Sequence, residues 1–341
     1  MSQLRVNIIS ESAFTTQGHG VHTAFVETVD GLKALGNIRV AANDRKKADV
    51  VHIHTVGPYS LRYLLFASGV KVVSAHVTPD SFVGSLIGAK YWYGIAKWYL
   101  RWFYNRADAV LAVSGEVEHE LKTMGVHKPI YLVPNTINTK QFHYTQAERT
   151  AARAALGIKP DQKLVIGVGQ VQPRKGMDSF AAAAKALPDT RFIWVGGMPF
   201  KRLAAAHAGM ERLMRRHPAN LSFTGVINHE EVIAYYRAAD VFFLPSHQET
   251  FGIVIVEAAA ASLPVLVRDL DQYRQTFNQE HYLTGTDNAE FIKQLKRLVQ
   301  DEPYRKKAVR ASKAIAEQYD SARGAESLVE IYQEIIQSRK V

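Results

Sequence analysis

The sequence predicts an α/β chain built from two parallel-sheet domains, and three observations carry that expectation. Short β-branched runs alternate with longer amphipathic stretches from end to end, the pattern of parallel strands joined by helical crossovers. The chain has 341 residues, 47% of them apolar, enough for two ordinary cores. Turn formers and polar residues break the alternation near its middle, at 134–138 and again through 145–150.

The elements follow in order. Strands are expected at 6–10, 50–54, 70–74, 109–114 and 130–133, with helices near 21–35, 61–68 and 86–105. A helix at 151–156 opens the second set, whose strands are expected at 164–169, 191–197, 221–224, 241–245 and 264–267, with helices at 177–187, 230–239 and 253–261. The reading places one domain at 1–145 and the other at 146–321. From Asn288 onward the pattern is almost wholly helical, more than the second sheet needs, so the last helix, about 322–341, is expected to cross back to the first domain.

Composition narrows the function classes. Cysteine is absent, which excludes disulfides, thiolate metal sites and thiol nucleophiles and fits a reducing, cytoplasmic compartment. The opening MSQLRVNIIS has no apolar signal core, and no window approaches the roughly 18 uninterrupted apolar residues of a spanning helix, so a soluble or membrane-peripheral protein is expected. A net charge of +10 favours an acidic partner, whether nucleic acid, anionic lipid or a phosphorylated small molecule.

Three constellations could carry chemistry. Gly18-His19-Gly20, after the first strand, lets backbone amides approach a ligand at a positive helix end, although its spacing is not the dinucleotide fingerprint and a plain tight turn competes. The run from Gly169 to Gly176 follows a buried strand and carries Arg174 and Lys175; a forked guanidinium beside a compact ammonium suits a diphosphate leaving group, against the alternative of a solvated basic turn. Glu249 and Glu257 straddle the start of an apolar helix, with Phe251 and Gly252 between them. At the carboxyl edge of a sheet both carboxylates could reach one ligand while Gly252 presents amides, unless Glu257 is merely a helix residue with an ion-pair partner.

With the strand end Ala112-Val113-Ser114 and the junction Val133-Pro134-Asn135, these segments resemble the retaining glycosyltransferases of family four over nearly the whole chain. The resemblance implies the GT-B fold, two facing Rossmann-like domains with a cleft between them. It further implies that Arg174 and Lys175 hold the donor diphosphate, that Glu249 meets the transferred hexose, that Glu257 bonds the nucleotide ribose, and that the amides of Phe251 and Gly252 complete the sugar site. His76, at the end of the third expected strand, matches the family's histidine near the transferred sugar. His52 and His54 alternate along the preceding strand; with no third ligand nearby they read as cleft-lining or satisfied core residues. The resemblance implies no need for a metal, so a UDP-sugar donor is expected without a metal or other cofactor. The departing diphosphate would take the proton of the acceptor hydroxyl on the face it leaves, with double displacement through Glu249 as the rival route.

The acceptor is read from residues 90–104, which hold three of four tryptophans. On a helix Lys90, Lys97 and Arg101 fall in one stripe, with Tyr93 and Tyr104 on one flank and Tyr91 and Trp98 on the other. Ile95, Tyr99, Trp102 and Phe103 lie opposite, free to dock on the sheet. Aromatic rings beside lysines suit an anionic membrane surface, with an aromatic-rich core helix as the competing reading. Arg212, Arg215 and Arg216 add a second basic face. The segments at 6–11, 18–21 and 76–86 resemble the subgroup that adds a second hexose, from UDP-glucose or UDP-galactose, to monoglucosyl-diacylglycerol, the lipid that anchors lipoteichoic acid; this implies a glycolipid acceptor and a place on the inner face of the cell membrane. A soluble acceptor and a non-catalytic nucleotide-sugar-binding module are the alternatives. Nucleic acid is not expected, because the aromatics cluster with apolar neighbours rather than along a basic groove.

Overall fold

Segments such as Ala109–Ala112 and Val241–Leu244 are apolar at every position, which suits a strand covered on both faces. They become central strands of two all-parallel sheets in the computed structural model, which describes residues 3–14, 20–79, 89–198 and 207–339. The chain divides into two compact units, one of Met1–Val83, Ala89–Asn138 and Tyr319–Val341, the other chiefly Thr139–Gln318.

The first unit runs β1 (Arg5–Ile9), α1 (Gly20–Ala34), β2 (Arg39–Ala42), β3 (Val50–Ile53), α2 (Pro58–Phe66), β4 (Val70–Ala75), α3 (Ala89–Tyr104), β5 (Ala109–Ala112), α4 (Gly115–Met124) and β6 (Ile130–Leu132), in the sheet order β2-β1-β3-β4-β5-β6. Sequence reasoning missed β2, whose RVAA is short, half-exposed and at the edge, and α4, which Ser114 caps through the Val117 amide.

The second unit runs α5 (Gln146–Ala155), β7 (Leu164–Val168), α6 (Met177–Ala186), β8 (Arg191–Val195), α7 (His207–Arg215), β9 (Leu221–Phe223), α8 (His229–Ala238), β10 (Val241–Leu244), α9 (Ile253–Ala260), β11 (Val265–Arg268), α10 (Asp271–Thr276), β12 (Leu283–Gly285), α11 (Asn288–Gln300) and α12 (Glu302–Gln318), in the order β12-β11-β10-β7-β8-β9. Capping boxes at Thr145/Glu148 and Asn228/Glu231 start α5 and α8. Trp194, fully buried, lies where a Cβ on residue 167 would meet its ring at 2.6 Å, so β7 carries Gly167 beneath it. Burial of a side chain of this class contributes roughly 1.5–3 kcal/mol.

The last helix, α13 (Ser321–Ser338), belongs to the first unit. Its Leu328, Tyr332 and Ile335 share one core with Ile8, Phe25 and Leu32. The return is stitched by Ile137 N–H to Tyr319 C=O at 3.1 Å and Ser321 N–H to Ile137 C=O at 2.8 Å. Gly31 lets the two helices touch, since a Cβ there would stand 3.3 Å from Ser321 C=O.

Candidate active site

In the second unit the strand order reverses between β7 and β10, the point at which open sheets of this kind collect ligand-binding loops. The first loop spans 169–176 and the second 245–252. They meet at Gly176, which adopts φ 68° and leaves no room for a side chain, as a Cβ would lie 2.1 Å from Pro245 C=O. His247 N–H donates to Arg174 C=O at 2.7 Å and fastens one loop to the other.

This junction gathers three predicted site residues. Lys175 Nζ pairs with Glu249 Oε1, and Ser246 Oγ donates to that same oxygen at 2.8 Å. Arg174 Nη1 stands 3.9 Å from Glu249 Oε2 and donates to Gln248 C=O at 3.2 Å, while its Nε donates to Gln172 Oε1 at 2.9 Å. Lys175 is only 8% exposed and Glu249 6%, so the solvated-turn alternative does not describe Lys175. Burial, with Arg174 beside it, lowers the Lys175 ammonium to about 8 although Glu249 pulls the other way. Burial alone would raise the Glu249 carboxyl, but the Lys175 and Arg174 cations outweigh it and hold the carboxyl below its ordinary value. Two cations thus face one carboxylate, and the cluster carries surplus positive charge.

The other predicted residues take different places. Glu257 lies in α9, buried, and accepts from Tyr236 Oη at 2.7 Å; burial raises its carboxyl against the opposing pull of His229 and Tyr236. Its partner is therefore a phenol from α8 and not a cation. Phe251 turns its side chain into the core against Phe277, with ring centroids 5.7 Å apart. Gly252 adopts φ 86° and opens α9 without a side-chain cap, its carbonyl accepting from the Ile255 amide at 2.8 Å. The Gly169 carbonyl accepts from Trp194 Nε1 at 2.8 Å. Gly18 lies outside the described residues, and Gly20 is the first residue of α1, exposed. Sequence reasoning missed Ser246 and Gln172, which orient Glu249 and Arg174. Their signal was position alone, three and two residues before the charged residue they serve.

In the first unit His76 follows β4 and is buried, with Nε2 3.1 Å from His54 Nδ1 and the two rings stacked at 5.0 Å. The two-residue repeat of a strand puts His52 and His54 on one face, ring centroids 4.4 Å apart. Their reading as satisfied core residues holds for His52, which bonds Ser74 and Tyr332. It fails for His54, whose Nε2 is buried with no hydrogen-bond partner among the described residues. Among the described residues no group of three or more His, Asp or Glu is placed to hold a metal ion.

On α3, Lys97, Trp98 and Arg101 are exposed and Tyr93 is half-buried. Two assignments on this helix are corrected. Ile95, expected against the sheet, is 70% exposed, and Tyr104, expected beside the basic stripe, is fully buried with its hydroxyl donating to Val77 C=O at 2.6 Å. The helix turns further than its apolar count suggests, because Leu100 and Phe103 with Tyr104 fill the core. The side chains of Lys90 and Tyr91 lie outside those described. Arg212, Arg215 and Arg216 are exposed, with Arg215 paired to Glu211 at 2.6 Å. No helix among the described residues is long and apolar enough to cross a membrane.

The chain resembles known glycosyltransferases along most of its length. The family described as Glycosyltransferase Family 4 matches residues 18–141, and that described as Glycosyl transferases group 1 matches 148–315. The chain is 36% identical over 278 residues to alpha-galactosylglucosyldiacylglycerol synthase of Streptococcus pneumoniae, covering 80% of this chain and 74% of the relative. It is 27% identical over 342 residues to the processive diacylglycerol alpha-glucosyltransferase of Acholeplasma laidlawii, covering 99% and 100%. Among solved structures, sucrose-phosphate synthase from Thermosynechococcus elongatus superposes with a TM-score of 0.81 at 18% identity, covering 98% of this chain and 100% of that one. The Anabaena protein HepE in complex with UDP-glucose does so at 0.77 and 15%, covering 97% and 100%.

Proposed function

The chain belongs to the glycosyltransferases of family four, with the GT-B fold of two Rossmann-like units, and from that premise we propose that it moves glucose or galactose from a UDP-sugar to a membrane glycolipid with retention of configuration. One observation carries the reading: Arg174 and Lys175, held together at the strand-order reversal of the second unit, leave positive charge uncompensated by Glu249. A departing nucleotide diphosphate supplies the anion that balances it. Negative charge grows on that diphosphate as the bond to the anomeric carbon breaks, so fixed cations stabilise the transition state more than the ground state. The acceptor oxygen forms its bond on the same face, and its proton passes to a diphosphate oxygen.

Glu249 supports this front-face route over double displacement. Its Oε1 is held by Lys175 and Ser246, and a carboxylate so engaged is a weak nucleophile but a good positioned acceptor for sugar hydroxyls. The cations supply the charge that a metal supplies elsewhere, so the reaction is proposed to run without one. The names of the two relatives, an alpha-galactosylglucosyl lipid synthase and an alpha-glucosyltransferase, fit retention, since UDP-hexoses are themselves α-linked. They also point to monoglucosyl-diacylglycerol as acceptor and to a diglycosyl lipid, the kind that anchors lipoteichoic acid, as product. The exposed Lys97, Trp98, Arg101 and Ile95 of α3 suit docking of the first unit on the cytoplasmic face of an anionic membrane. Incubation with UDP-glucose or UDP-galactose and monoglucosyl-diacylglycerol in anionic vesicles, with EDTA present, is expected to yield an α-linked diglycosyl lipid by NMR of the anomeric proton. Transfer to soluble sugars alone would remove the glycolipid acceptor, and a β-linked product would remove retention.

A further inference from the structure

We infer that His54 is a positioning residue for His76, fixing its ring and proton through the hydrogen bond between His54 Nδ1 and His76 Nε2. The bond is 3.1 Å long inside the first unit's core, and the two rings stack 28° from parallel. His54 is 2% exposed, sits at the end of β3, and has Phe25 edge-on to it at 6.1 Å, so its own ring is held on several sides.

The direction of the bond follows from what lies on the far side of each ring. His52 and His54 are both neutral, because burial, with neighbouring imidazoles adding to it, takes His52 down to about 3 and His54 well below its ordinary value. A neutral imidazole carries one N–H. On His52 the fully buried Tyr332 of α13 donates its hydroxyl to Nδ1 at 2.6 Å, which leaves the proton on Nε2 to donate to Ser74 Oγ at 2.7 Å. His54 Nε2 has no partner among the described residues. Leaving an N–H there would strand a buried donor, which costs more than leaving a bare ring lone pair. The His54 proton therefore sits on Nδ1 and is donated to His76 Nε2, so a His76 ring with a single N–H carries it on Nδ1. Strand β3 thereby sets which nitrogen of His76 is a donor.

This inference rests on the reading of His76 as the residue beside the transferred sugar, and the test separates the two. In the full-length protein, with UDP-glucose and monoglucosyl-diacylglycerol in anionic vesicles, His54→Leu is expected to lower kcat about five- to ten-fold with little change in KM. His54→Asn, whose short amide keeps a donor near the Nδ1 position, is expected to restore most of that loss. In a His76→Ala background, His54→Leu is expected to have no further effect. Nitrogen-15 NMR of the histidines is expected to show His76 protonated on Nδ1 in the parent and a mixture of tautomers in His54→Leu, with matching thermal unfolding curves for parent and variant as the folding control. An equal loss from His54→Leu in both backgrounds, or His76 protonated on Nε2 in the parent, overturns the inference. Unchanged turnover in His76→Ala instead overturns the reading of His76 itself, whatever tautomer the NMR reports.

Discussion

The two sheets solve the same geometrical problem with opposite charge. In the first unit the order reverses between β1 and β3, and the helix that starts there, α2, is closed by the chain's own acid: Tyr59 N–H and Ser60 N–H donate to Glu11 Oε1 at 2.5 and 3.1 Å. Gly57 permits it, since a Cβ there would strike the Glu11 carboxylate. In the second unit the reversal lies between β7 and β10, α6 and α9 open on Gly176 and Gly252 with no side-chain cap, and Arg174 and Lys175 stand beside them. Helix amides that one unit spends on its own carboxylate are in the other kept beside cations. The lesson is that similar scaffolds differ in what fills the reversal point: in the first unit a carboxylate caps α2, and in the second two cations stand beside helices without a side-chain cap.

The sharpest way to break this comparison is to count nucleotides. Calorimetric titration with UDP is expected to give one site per chain, and Lys175→Ala is expected to abolish it and to lower transfer by about 10²–10³-fold. A second UDP of similar affinity, or binding that survives the substitution, would return the first unit to contention.

A smaller effect separates charge from fold. Since the folded chain holds Lys175 at about 8 and the ordinary value is 10.5, lysine 175 loses its proton in the folded state first. Where the charged form is needed, kcat/KM falls about ten-fold per pH unit above that value. Between the two values the folded chain binds fewer protons than the unfolded one, so the contribution of this lysine to stability rises with pH while activity is lost. Activity and thermal unfolding measured across pH 7–10 are expected to diverge, and Lys175→Arg is expected to flatten the activity limb. Parallel loss of both would assign the limb to unfolding.

The smallest expected effect belongs to the first unit. Replacing Lys97 or Arg101 by Gln is expected to weaken binding to anionic vesicles about five-fold each, with UDP affinity unchanged. Co-sedimentation and UDP titration on the same variants check it, and a change in UDP affinity would blur the division of labour drawn above.

Much of the fold was legible because buried parallel strands announce themselves. β3, β5, β7 and β10 are apolar runs bounded by turn formers, and the long helical tail after Asn288 exceeded what the second sheet requires. β2 and β12 are short, half-exposed strands that the sequence reading missed. The site was legible as residue types in the right loops. Arg174 and Lys175 were readable in one loop and Glu249 in another, because strand ends in an open sheet collect ligand-binding loops; that the two loops join was visible only in the structure.

What sequence by itself determined, then, is the class of fold, the two strand sets and the identities of the charged residues on the ligand-side loops, since these depend on local pattern and on short-range turn chemistry. Tertiary structure alone decided that Lys175 is buried against Glu249, that Glu257 takes Tyr236 as its partner, that Tyr104 faces inward while Ile95 faces water, and that His54 holds His76. Each of those depends on which distant side chain arrives at hydrogen-bond range after the sheet closes, and a periodicity of two or 3.6 residues carries no information about a neighbour 20 or 70 positions away.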